Sequence, residues 1–74
     1  MEVQMMHSVD AMRMFFDYMD ATEKKPAQVN VKAAAKWGFD KGYYDVGQPG
    51  DPENEQDKIA LVAGDLREIQ IVLS

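Results

Sequence analysis

The sequence predicts an all-α fold, a compact three-helix domain spanning residues 1–74, and three observations point to it. Two segments carry apolar residues at the three-and-four spacing of an amphipathic helix. Proline and glycine clusters separate the segments where helices end. The chain contains no cysteine and a single histidine, so neither a disulfide scaffold nor a zinc cluster organises it. Helices are expected near residues 4–21, 27–37 and 52–72.

In the first segment Met5, Ser8, Val9, Met12, Phe15, Phe16 and Met19 fall on one helical face. Glu2, Asp10, Arg13, Asp17 and Asp20 lie off it. Either Ser8 caps this helix or it begins near Glu2. Pro26 stops it, because proline disfavours the helical conformation in the residue before it. Ala11, Met14 and Tyr18 form a second, narrower apolar strip. A helix apolar on two sides calls for two neighbours, and the second is expected to be a partner or another copy of the chain. Five of the six methionines fall within the first fourteen residues. Methionine is adaptable, and suits both gap-filling in a small core and a surface that repacks.

Pro26 opens the second segment, where proline suits a first helical position. Val29, Ala33 and Trp37 step along one side of it, and Gly38 is placed as the C-terminal cap. Residues 38–47, with glycines between aromatics, read as a compact turn whose rings pack inward. Gly47, Pro49, Gly50 and Pro52 then make a loop.

Asp51 as N-cap, Pro52 at the first helical position, and Glu53 and Glu55 in the first turn mark the start of the third helix. Ile59, Val62, Leu66, Ile69 and Leu73 form a heptad-like seam, with Lys58, Asp65, Arg67 and Glu68 off that line. The alternative is an α+β fold with a short strand near 68–73, since Ile69, Ile71 and Leu73 also alternate. The expected core is Met12, Phe15, Phe16, Met19, Val29, Ala33, Trp37, Ile59, Val62, Leu66 and Ile69.

Thirteen acidic residues against eight basic ones leave a net charge of −5. All of it lies between residues 40 and 57, where Asp40, Asp45, Asp51, Glu53, Glu55 and Asp57 face Lys41 alone. Residues 23–36 are instead basic, with Lys24, Lys25, Lys32 and Lys36 opposing Glu23. A solvated surface accounts for such charge, and so does an acidic face aimed at a basic partner.

Few residues offer chemistry. A nucleophile needs a base and an orienting group, and the neighbours His7 and Ser8 point about 100° apart on a helix. No catalytic set and no cofactor is therefore expected. Asp51, Glu53, Glu55 and Asp57 alternate loosely like a calcium loop, but Gln56 stands where that loop needs glycine and Val62 where it needs glutamate. Residues 30–39 loosely resemble the first helix and turn of a helix-turn-helix. The recognition helix would then be Asp40-Lys-Gly-Tyr-Tyr-Asp45, whose acids would repel phosphate, so direct nucleic-acid binding is not expected. Carboxylates spaced along 40–57 could also imitate DNA phosphates, by a salt-sensitive mechanism.

A chain this short buries only about 60% of its unfolded surface, which favours a stabilising partner. The expected function is thus non-enzymatic: a small cytoplasmic inhibitor or adaptor that occludes another protein. Such factors are common in phage and mobile-element takeover of a host. The alternatives are a DNA mimic directed at a nucleic-acid-binding protein and a small helix-turn-helix regulator. A homodimer is possible and no membrane partner is expected, since no apolar run reaches the roughly 20 residues of a span. Expected contact residues are Met14, Tyr18, Tyr43 and Tyr44, rimmed by Asp45, Asp51, Glu53, Glu55 and Asp57.

Overall fold

The computed structural model describes residues 10–47 and 50–74. Among these the chain forms three α-helices: α1 (Ala11–Thr22), α2 (Val31–Asp40) and α3 (Glu55–Leu73). A 3-10 turn at Pro26–Gln28 links the first two. The fold is the all-α, three-helix arrangement. Residues 68–73 continue α3 and form no strand. Readings that involve His7, Ser8 and the start of the first helix at 4 lie outside the described residues.

Helices α2 and α3 begin later than the sequence predicts, and in all three helices an Asp or Asn side chain supplies the cap. Asp10 accepts from the Arg13 amide, Asn30 from Lys32 and Ala33, and Asn54 from Gln56 and Asp57. Each thereby satisfies donors that a helix start otherwise leaves open. Asn54 thus caps α3 in place of Asp51, and Pro52 precedes the helix rather than opening it. The α2 helix starts at Val31, since Pro26 opens only the 3-10 turn.

The core gathers Met14, Phe15, Tyr18, Val29, Val31, Ala34, Ala35, Tyr44, Ile59, Val62, Ala63 and Leu66. Phe15, Val29, Ile59, Val62 and Leu66 are expected core residues found there; Met19, Trp37 and Ile69 pack against it, partly buried. Met12, Phe16 and Ala33 are corrections, because all three are exposed. In α1 the inward face is Ala11, Met14, Phe15 and Tyr18, rotated from the predicted stripe. In α2 it is Val31, Ala34, Ala35 and Gly38 instead of Ala33 and Trp37. Along α3 the predicted seam points inward, but Lys58, placed off the seam by sequence, is fully buried as well.

Gly38 explains the rotation. It sits inside α2 rather than at its end, and a Cβ added there would lie 1.8 Å from the Met14 sulfur. The small-residue face of α2 thus lets α1 approach closely, and Met14 fills the space that glycine leaves open. Gly38→Ala should therefore destabilise the domain by about 1–3 kcal/mol through overpacking, despite alanine's better helix propensity. Urea unfolding checks this, and the added substitution Met14→Ala should make the two effects clearly non-additive.

A second long-range tie comes from the Gln70 side chain. Its amide donates to the carbonyls of Pro26 (2.7 Å) and Val29 (2.8 Å), holding the turn before α2 against α3. Among the described residues, no helix is long and apolar enough to cross a membrane.

Candidate protein-interaction site

The C-terminus of α2 builds an aromatic cleft by its capping geometry. Gly42 has φ of +86°, a conformation that glycine adopts without a Cβ penalty. Its amide donates to the Phe39 carbonyl (3.1 Å), and the Tyr43 amide donates to the Gly38 carbonyl (2.9 Å). This pair of bonds is a Schellman motif, in which the residue after the left-handed glycine folds back on the last turn. The returning residue here is Tyr43, and the ring it meets is Trp37, with centroids 5.4 Å apart. The capping glycine is thus Gly42, one turn beyond the predicted Gly38.

Two further contacts hold that pair in place. Tyr18 packs edge-on against Trp37 from α1, with centroids 5.3 Å apart. The Tyr43 hydroxyl donates to the Asp17 carboxylate at 2.5 Å. That hydrogen bond, followed by burial and the Asp17 charge, raises the Tyr43 pKa above its ordinary value. Tyr43 therefore remains a neutral donor at physiological pH, with its ring direction fixed from α1.

The cleft measures about 560 Å3 and is lined by Asp10, Arg13, Trp37, Lys41, Gly42 and Tyr43. Its lining holds two cations, Arg13 and Lys41, and one carboxylate, Asp10, with Asp17 beside Arg13. Asp10 is engaged in capping α1, and Asp17 accepts from Tyr43. Arg13 approaches Asp17 only at 3.8 Å, its side chain 76% exposed, so the guanidinium remains open to a ligand. Lys41 is exposed, with no carboxylate partner among the described residues.

A second cleft, about 600 Å3, separates the starts of α2 and α3 and is lined in part by Asn30, Lys36, Glu55 and Ile59. Two of its polar side chains, Asn30 and Lys36, are engaged internally, and Lys32 and Gln56 also line it. Asn30 caps α2, while Lys36 bonds Asp40 at 2.9 Å and lies 3.9 Å from Glu55. The Asp40 hydrogen bond raises the Lys36 pKa, a gain that burial reduces and the Asp40 and Glu55 charges support.

The expected contact residues separate into two groups. Tyr43 borders the first cleft. Met14, Tyr18 and Tyr44 are buried, which corrects their placement as surface contacts: at 0%, 9% and 6% exposure they leave little area for a partner to cover. The Tyr44 hydroxyl donates to the Ala35 carbonyl at 2.5 Å. Desolvation pushes its pKa up to about 12, with the charges of Asp40 and Glu55 adding to the shift.

Of the acidic rim, Asp45, Glu53, Glu55 and Asp57 are exposed, but Asp51 is not. Its carboxylate is fully buried and accepts from the Lys58 ammonium, also fully buried. The acidic patch therefore has one carboxylate fewer than the sequence implies, and the remaining four do not line the aromatic cleft. No cluster of three or more potential metal ligands occurs among the described residues.

Residues 41–45 form a turn rather than a helix, so the recognition helix required by the helix-turn-helix reading is not there. Sequence reasoning did not single out Arg13, Trp37 and Lys41, which line the candidate cleft. The available signal was Gly42, since a glycine followed by an aromatic residue is the mark of a Schellman return onto the helix. No protein-family model, curated protein or solved structure matches the chain.

Proposed function

We propose that the chain is a non-enzymatic protein-binding module, an inhibitor or adaptor that acts by occluding its partner through the Trp37–Tyr43 cleft. One observation carries this reading: a partly exposed tryptophan and tyrosine sit side by side in a cleft that the exposed Arg13 also lines. These are the three residue types most enriched where alanine substitution weakens protein interfaces. They are also pre-ordered. The Schellman turn and the Asp17 hydrogen bond hold Tyr43 before any partner arrives, reducing the entropy lost on binding.

Tyr43→Ala is expected to weaken partner binding by about 2 kcal/mol, roughly 30-fold in Kd. Its thermal stability should fall more modestly than that of a core variant, because Tyr43 is only partly buried and loses one hydrogen bond and its packing on Trp37. The measurement is affinity capture from native extract on immobilised wild-type and variant chains, with bound proteins identified by mass spectrometry. Melting curves run alongside. A protein retained by wild type and lost by folded Tyr43→Ala supports the reading. Equal retention of every captured protein by both chains overturns it.

A further inference from the structure

We infer that the outer face of α1 packs against the same face of a second copy of this chain, the two helices running antiparallel around a two-fold axis beside Phe16. This face is distinct from the Trp37–Tyr43 cleft, which lies between α1 and the end of α2.

Helix α1 is apolar on two faces, and its own fold covers one. Met14, Phe15 and Tyr18 are buried in the core. Met12 and Phe16 are 47% and 46% exposed, and the partly buried Met19 follows on the same face. At about 100° per residue, Met12, Phe16 and Met19 centre about 120° round the helix from the core residues. They form an apolar ridge that a single chain leaves in water.

The spacing of that ridge selects its occupant. Met12, Phe16 and Met19 are four and three residues apart, and the sequence places Met5 and Val9 at the same steps. This is a repeat of 3.5 residues, which packs best on a helix with the same repeat. The chain's other such seam, Ile59, Val62 and Leu66 on α3, is already covered within its own core. The matching helix that remains is α1 of another copy.

Charge sets the orientation. Arg13 and Asp20 lie two turns apart along one edge of the ridge, and both are exposed. A two-fold axis brings that edge against its own reverse in an antiparallel pair, so Arg13 of each copy meets Asp20 of the other. Asp17, 3.8 Å from Arg13, and Asp10 lie further round the helix, about 130–150° from the ridge, and face away from the second copy. In a parallel pair the charged edge would instead meet the opposite one. That edge carries Phe15, buried in the core, and Thr22, whose hydroxyl donates to the Tyr18 carbonyl. No charges would pair there.

One helix face makes a small interface, so the expected Kd is on the order of 100 µM. Chains at low micromolar concentration stay single, and unfolding measured there reads the monomer. Sedimentation equilibrium from about 10 µM to about 1 mM spans the transition.

Wild type should pass from monomer to dimer over that range. Phe16→Asp and Met12→Lys, both at exposed positions and checked for fold by circular dichroism, should stay monomeric throughout. Arg13→Asp and Asp20→Arg should each weaken association by roughly three- to tenfold, and the double variant Arg13→Asp/Asp20→Arg should recover it. Tyr43→Ala should associate as wild type does, which separates this result from the fate of the cleft. Wild type that remains monomeric at the highest concentration would overturn the inference, including where the ridge instead retains a different protein from native extract. So would folded Phe16→Asp and Met12→Lys chains that dimerise normally. Charge reversals without effect, or a double variant that does not recover, would overturn the antiparallel pairing.

Discussion

Lys58→Met is expected to remove about 3–5 kcal/mol of stability, enough to leave most of the chain unfolded at ambient temperature. Lys58 and Asp51 are both fully buried, and their charges face each other away from water. Removing the ammonium leaves the Asp51 carboxylate buried without its counter-ion. The other oxygen of that carboxylate, Oδ1, already has no donor among the described residues, so the anion has little else to stabilise it. Asp51→Leu should cost a similar amount, because it strands the ammonium 6.0 Å from the Tyr44 ring centroid, and a ring face only partly replaces a carboxylate.

The double variant Lys58→Met/Asp51→Leu should recover most of the loss, since apolar groups of similar volume avoid the desolvation cost of both ions. Urea midpoints of the two single variants and the double variant form the required cycle. Additive losses, or single variants within about 1 kcal/mol of wild type, would show that the pair is not the fastening described here. The pair bridges seven residues of sequence and ties the segment before α3 to the core. That segment follows the turn bearing Tyr43, so its disruption should also loosen the Trp37–Tyr43 cleft.

The second large effect separates two adjacent phenylalanines. Phe15→Ala is expected to cost about 3–5 kcal/mol, because Phe15 is completely buried and its removal leaves a cavity. Phe16→Ala should cost within about 0.5–1 kcal/mol, since that ring is 46% exposed. Chemical denaturation of the two variants measures the phase of α1. Equal losses would mean that α1 presents a different face to the core.

That contrast shows where the sequence was ambiguous. Ala11, Met12, Met14, Phe15, Phe16, Tyr18 and Met19 make α1 apolar around much of its circumference, so period alone favours more than one face. Close approach decides among them: the open side of Gly38 accepts the Met14 sulfur, and this pulls Met14, Phe15 and Tyr18 inward. The same contact turns Ala34 and Ala35 toward the core and leaves Ala33 outside. In α3 a single narrow seam runs through Ile59, Val62 and Leu66, and there the sequence reading and the packing agree.

The site was legible only in part. Of the expected contacts Tyr43 borders the cleft, and the inward packing of the aromatic turn is observed at Tyr44. Trp37, Arg13 and Lys41 were not recognised, because the cleft joins α1 to the end of α2, across a sequence separation that no local pattern spans. Asp51 was misread for a related reason. An aspartate before Pro52 resembles an N-cap, while the competing Asn54 lies directly at the first turn and Lys58 claims the carboxylate.

By itself, the sequence determined the fold class, the number of helices and the loops that part them, since helical periodicity and proline–glycine punctuation act over a few residues. Tertiary structure alone decided which face of α1 and α2 turned inward, which aspartate became buried, and which aromatics stayed partly exposed. Those outcomes depend on how closely two helices approach and on which charge meets which across the core, and both are properties of residues far apart in the chain.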